Sequence, residues 1–438
     1  LYVESGTYDG FTINGEESIL SLLKGVIGVD GSEATTINSD TFITGTVSGF
    51  TLQGFTFSSG AGVTFLENSG TLNIKDVVVK NSDDDFGINV WNHSGAINLD
   101  SVEASSNGYS GVSLQNYYRG TTSPITVTNS VFNDNGSSGT DYLKGLEIDF
   151  FGTVTLNGVI AQNNNGDGID VWDYGTLKIK HAFLDKNTSD EVEGWGKGLN
   201  ALASGKGTAY LEDVHANDND YGILIQGGSL KAKDVEANHN LEGTGLYFDS
   251  AVGSSRVEYG TFNDNGGDGL YIENKAAIYL NSIQASDNGA NGLYLDNALC
   301  ISIDGCIGSG SVTLTSPKSG GFDSANGFMG NGGTGVYIQS RGAVTVTNAG
   351  MMENDGFGLE IDNTYGNGGV TLNVTLKNWV NAINDNDFGG IVIQSNGAVK
   401  LANTRAFSNQ SNGIEVITLG NIELASTNAS NNLGWGAN

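Results

Sequence analysis

Glu147, Asp149, Asp170 and Asp173 fall in two consecutive segments, GLEIDFF at 145–151 and GIDVWDY at 168–174. If both are strands lying side by side, Glu147 neighbours Asp170 and Asp149 neighbours Trp172 at ~4.8 Å. Two carboxylates that close repel unless a cation sits between them or one keeps its proton. Glu147, Asp149, Asp170 and Asp173 therefore form a candidate Ca²⁺ ligand set of oxygen donors. A separation of ~5 Å also suits a retaining glycosidase pair. Outward acids on an acidic protein can equally be plain solvated groups, and the residues leave these three readings open. Tyr117, Tyr118, Trp172 and Trp195 surround the acids with aromatic surface on which a sugar ring can stack. A second candidate glycan-binding row is Tyr247, Tyr271, Tyr294 and Tyr337, with Asp249, Glu273, Asp296 and Gln339 alongside. Its bland alternative is that Tyr suits an exposed sheet position and packs on its neighbour.

The groups able to complement these acids are few. Arg119, Lys144 and Lys197 are the nearby cations, and all three read as parts of insertions at 117–124, 137–144 and 188–197. The four histidines, His93, His181, His215 and His239, sit in separate repeats and read as surface residues.

What positions these residues is a repeat. The pattern Gly–apolar–x–apolar recurs fourteen times, from GVTF at 62–65 to GIEV at 413–416. Successive starts are mostly 23 to 25 residues apart, and the exceptions of 34, 30, 43 and 32 look like one period plus an insertion. A fixed period of this size marks a solenoid, propeller or array. Apolar residues in alternation mean strands with one buried face. A second alternating run such as Thr71–Ile74 or Ala277–Leu280 follows each block, and then a third such as Val102–Ala104. Asn, Asp and Gly cluster where the runs end, which is turn chemistry. Three short strands in so few residues leave no room for helices or for a propeller blade. The pattern predicts an all-β, single-stranded parallel β-helix of about 16 coils with three short strands per coil. Ile148, Val171, Ile225, Ile272, Leu295 and Ile338 are then inward. Asn107, Asn164, Asn265, Asn288, Asn331, Asn354, Asn386 and Asn409 each lie four residues before a block's Gly, a register that would stack their amides into a ladder.

On these repeats, on the opening LYVESGTYDGFTI and on VSGFTLQGFTF at 47–57, the chain resembles right-handed parallel β-helix proteins of the pectin-lyase-like superfamily. The resemblance spans essentially the whole chain and implies the fold and its right hand. It leaves activity open, because the superfamily holds lyases, hydrolases, epimerases, adhesins and structural rods. The Gly-His-Gly of its hydrolases and the Asp-Pro-His of its epimerases do not occur here.

Charge narrows the partners. With 49 acidic and 19 basic residues the net charge is −30, which argues against nucleic acid and against an anionic membrane surface. The most apolar stretch, 19–29, is too short to span a bilayer. Cys300 aligns with an outer position and Cys306 with the buried Ile283 position one coil earlier, so their side chains are expected to point apart. The whole of 1–438 reads as one continuous β-helix, irregular over 1–60 and regular over 61–438. It opens directly on a strand and closes where another block would begin, so an excerpt of a longer polypeptide is expected. The sequence thus predicts a non-enzymatic structural or adhesive segment of a large extracellular or cell-surface protein, with polysaccharide or further copies of itself as partners, Ca²⁺ as the one cofactor in prospect, and no turnover of uronic-acid polymers. The alternative is a polysaccharide-active enzyme or glycan-binding module working around Glu147 and Asp170.

Overall fold

The computed structural model describes residues 1–15, 23–45, 49–58, 60–82, 86–116, 122–137, 143–189, 196–301, 305–317, 325–376 and 380–438. It is a right-handed parallel β-helix, as expected. Among the described residues there are strands and turns but no helix. The chain divides into two compact units, Leu1–Tyr221 and Gly222–Asn438.

In the first unit the Gly–apolar–x–apolar blocks are the first strand of each coil. Val63–Leu66, Ile88–Trp91, Val112–Gln115 and Lys144–Asp149 pair in parallel, in register, with the next coil's strand. The column Phe65, Val90, Leu114, Ile148, Val171, Ala201 is fully buried. In the second unit Ile225, Phe248, Ile272, Leu295, Ile338 and Ile361 form the equivalent column, again buried. The six residues expected to face inward, Ile148, Val171, Ile225, Ile272, Leu295 and Ile338, are all buried. The second and third runs of a coil often form one bent strand, as in Leu72–Lys80 and Ile97–Ser105. The bend falls at a residue with positive φ: Asp76 (48°), Ser101 (57°), Asn129 (50°), His181 (52°) and Asp213 (56°). Mostly short polar residues occupy this left-handed region, where Asn and Asp pay least.

The expected Asn ladder exists and is longer than expected. In the first unit Asn107, Asn135, Asn164, Asn187 and Asn219 are linked amide to amide, at 3.0, 3.0, 2.8 and 3.0 Å. In the second unit it runs from Asn240 through Asn265, Asn288, Asn331, Asn354, Asn386 and Asn409 to Asn432, each step between 2.8 and 3.0 Å. Insertions or small shifts separate Asn135, Asn187, Asn219 and Asn240 from their Gly by a different number of residues, which hides them from a fixed-spacing search. The residue before each ladder Asn again has positive φ, as at Asp134, Asn163, Asp264 and Asp287.

Two expectations fail. Cys300 and Cys306 are disulfide-bonded, facing each other across a two-residue antiparallel pair. The assumed register was wrong: Val312 and Leu314, not the Cys segment, pair with Ile278 and Leu280 of the preceding coil. The cysteines belong to an excursion between the first strand, Leu293–Asp296, and the second strand, Val312–Thr315, of one coil, so the inward–outward alternation does not apply to them. His93 is also not a surface residue. It is 1% exposed and its Nε2 lies 2.9 Å from the Gly70 carbonyl. Burial lowers its pKa, which keeps the ring neutral.

The ladder yields a first prediction. Asn288 accepts from the backbone and side-chain N–H of Asn265, and donates to the Phe262 carbonyl and to Asn331. Asn288→Ala strands at least two buried donors and a carbonyl, so it should cost roughly 3 kcal/mol or more. Asn421→Ala, at an exposed position, should stay within about 0.5 kcal/mol. Equal costs in denaturant titrations would show that the ladder is incidental.

Candidate functional site

The acids of the two segments meet as expected. Parallel pairing of Lys144–Asp149 with Asp167–Phe183 sets Glu147 beside Asp170, Asp149 beside Trp172 and Lys144 beside Asp167. The next coil places Asn200 beside Asp170, and the preceding one places Ser113 beside Glu147. Ser113, Glu147, Asp149, Asp170, Trp172 and Asn200 take the outward positions of the first-strand sheet of the first unit, while Lys144 and Asp167 are buried at its edge.

The cation between the carboxylates belongs to the chain itself. The Lys144 Nζ stands 3.1 Å from Asp170 Oδ2 and 3.4 Å from Glu147 Oε1. Burial alone would lower the Lys144 pKa, but the charges of Asp170 and Glu147 outweigh it and raise it, so the ammonium persists. The hydroxyl of Ser113 donates to Glu147 Oε2 at 3.0 Å. The Trp172 indole N–H and the Asn200 amide donate to Asp170 Oδ1 at 2.6 and 3.0 Å. Burial raises the Asp170 carboxyl, and Lys144 and Trp172 pull it back. Asp170 is only 1% exposed, so the expectation of a solvated outward acid is corrected. It occupies an outward strand position, but Lys144 and Trp172 bond across it.

One coil position earlier a second pair repeats the arrangement. Asp167 is wholly buried, its Oδ1 accepting the Lys197 backbone N–H at 2.8 Å with Lys197 Nζ at 3.8 Å. Its Oδ2 is buried without a partner. Burial pushes this carboxyl up to about 6, against the pull of Lys197. Lys144, Asp167 and Lys197 each directly precede the Gly of their block, so Lys–Asp–Lys is one column. Sequence reasoning assigned Lys144 and Lys197 to insertion loops and passed over Asp167. Both lysines instead open strands, Lys144–Asp149 and Lys197–His215. The signal was there: three successive pre-glycine positions of alternating charge.

Of the remaining expected residues, Asp149 and Asp173 are half-buried. Asp173 has φ 59° at a register shift between Trp172 and Tyr174, a bulge that interrupts the alternation. Among the described residues no group of three or more His, Cys, Asp or Glu is gathered as a metal site. Trp172 is 44% exposed beside the acids. Tyr117, Tyr118, Trp195 and Arg119 lie outside the described residues.

The tyrosine row lies in the second unit and is a continuous stack. Ring centroids of Tyr247, Tyr271, Tyr294 and Tyr337 are 4.7, 4.5 and 5.1 Å apart, with interplanar angles of 11°, 0° and 25°. The rings spend their faces on one another, so the row offers edges and hydroxyls to a ligand. The Tyr271 hydroxyl donates to Glu273 at 3.0 Å and Tyr337 accepts from Gln339 at 2.7 Å. Burial and nearby carboxylates push the Tyr294 phenol up to about 12.

Comparison of the sequence with protein-family models and with curated proteins gives no match. Among solved structures the chain is similar to the periplasmic alginate epimerase AlgG and to variants of it. The double variant shares 10% identity over 96% of this chain and 84% of that one, with a TM-score of 0.35. A single variant shares 11% over 97% and 83%, with a TM-score of 0.35. The parent enzyme shares 10% over 96% and 84%, with a TM-score of 0.33.

Two predictions follow from these geometries. Burial holds the folded pKa of Asp167 at about 6, above the ordinary carboxylate value of 3.8. Its contribution is therefore fully present below about pH 4 and is lost as pH rises through 6, on the order of 3 kcal/mol. Melting temperature should fall between pH 4.5 and 7.5, and Asp167→Asn should flatten that fall; an unchanged slope would mean that Asp167 is ionised throughout. In the tyrosine stack, Tyr271→Phe keeps the rings and loses one hydrogen bond, costing about 1 kcal/mol or less. Tyr271→Ala loses two ring contacts as well and should cost ~1–3 kcal/mol more, read from thermal unfolding.

Proposed function

We propose that the chain acts on a polysaccharide at the outer face of the first unit, by acid–base chemistry centred on Glu147. The observation that carries this is the Lys144-bridged Glu147–Asp170 pair beneath an exposed Trp172. A lysine and two acids that perturb one another are costly to hold together for stability alone, and such clusters concentrate at working sites. Glu147 is the more reachable of the two carboxylates, its side chain being 17% exposed. An ammonium at one oxygen and a hydroxyl at the other hold its carboxyl group in place. It can then take a proton from a sugar carbon or hydroxyl, or stabilise positive charge developing on a sugar ring. Asp170 and Lys144 hold it in place, and Trp172 offers an apolar surface for the ring. The expectation of no turnover rested on cations confined to insertion loops. Lys144 and Lys197 are anchored in strands, which removes that ground.

Polysaccharides of this kind lie outside the cytoplasm, so an extracellular, periplasmic or cell-surface setting accompanies the proposal. The Cys300–Cys306 disulfide suits such an oxidising compartment, and no described helix is long and apolar enough to cross a membrane. A structural or adhesive role, with glycan or other copies of the chain as partner, is the second reading. What favours it is the regularity of the second unit, with seven consecutive ladder steps inside and four stacked rings outside.

The test is a panel of polysaccharides read for new reducing ends, for unsaturated-uronate absorbance and for solvent-proton incorporation into the sugar. We expect turnover of at least one, reduced about 100-fold or more by Glu147→Gln with little change in melting temperature. Absence of turnover and of binding across the panel would leave the structural role standing.

A further inference from the structure

The charge arrangement around Glu147 carries a statement about the ligand itself. Each described cation at the site is already engaged by carboxylate. Lys144 is shared by Glu147 and Asp170. Lys197 faces Asp167 and lies over the Tyr221 ring at 5.8 Å. Among the described residues the two lysines thus face three carboxylates. What the described part of the face presents to an incoming molecule is mainly a hydrogen-bond acceptor, the Glu147 carboxylate, beside the exposed indole of Trp172. A carboxylate, sulfate or phosphate on the ligand would bring further acceptors and like charge, and would have to displace an internal ion pair to reach a cation among the described residues. The whole chain, at −30, adds a long-range field of the same sign. A sugar hydroxyl, by contrast, is a donor with no charge to compensate. Trp172 completes the requirement. Its N–H is fixed on Asp170 at 2.6 Å, which sets the indole's orientation while 44% of the residue stays exposed. Such an indole suits the apolar face of a pyranose ring.

We infer that this site takes an uncharged polysaccharide and discriminates against uronic-acid and sulfated chains. The inference rests on the functional reading above and goes beyond it by naming the charge class of the substrate.

The experiment is calorimetric and fluorescence titration of the intact chain. One arm uses neutral gluco-, manno-, xylo- and galacto-oligosaccharides; the other uses oligogalacturonate and oligomannuronate. Each is run at low and at high salt, and with added Ca²⁺ or chelator. The expected result is binding to at least one neutral series, weakened about tenfold or more by Trp172→Ala and partly restored by Trp172→Phe. Uronates should bind at least about tenfold more weakly at low salt, and the gap should narrow as salt screens the repulsion. Tighter, Trp172-dependent binding of a uronate would overturn the inference while leaving the site in place. Uronate binding that appears only with Ca²⁺ would overturn it in a different way, by showing a bridging cation. If neither class binds the wild-type chain, the inference and the functional reading fall together. Melting curves of both Trp172 variants separate lost binding from lost folding.

Discussion

Everything in this protein depends on keeping equivalent residues of neighbouring coils in register along parallel strands. A slip of one residue would turn the buried columns outward. The backbone bonds of a parallel sheet do not choose between registers, so the side chains must. The Asn ladder does so from inside each unit. Asn164 shows the pattern: its side-chain oxygen accepts the backbone and side-chain N–H of Asn135, and its amide donates to Asn187 and to the Phe132 carbonyl, so one side chain ties successive coils together. An apolar side chain at that position would leave buried amides unmet, which penalises every misaligned pairing.

The same stacking imposes its own condition on function. Residues at equivalent positions are brought into contact whether or not they suit one another, so any charged column must contain its own counter-charges. Lys144, Asp167 and Lys197 satisfy that condition by alternating in sign. Glu147 and Asp170 do not alternate, and Lys144 reaches across from the neighbouring column to compensate them. The tyrosine column meets the condition differently, since identical rings can stack on one another at the coil spacing with no counter-group at all.

How much of this could be read from the amino acids follows from which interactions are local. The alternation at Ile148 and Val171, and the neighbouring of Glu147 and Asp170, depend only on period and were legible. The ladder was legible where an Asn kept its distance from the next Gly, and invisible at Asn135 and Asn187, where an insertion intervenes. The disulfide was misjudged because Cys300–Cys306 was aligned to a coil it does not belong to. The burial of Asp170 and of His93 was missed because strand alternation tells which face a residue takes, not what other side chains fold over it. Lys144 was mistaken for a loop residue since it borders an insertion, though its place just before a block Gly marked it as the start of a strand.

The tyrosine stack gives the second unit a signature of its own. Four phenol rings stacked in a row, successive centroids 4.7, 4.5 and 5.1 Å apart, couple their electronic transitions, so their near-ultraviolet dichroism differs from that of four isolated tyrosines and changes when the coils separate. The stack is therefore a built-in optical gauge of the second unit, and its loosening can be watched without attaching a label.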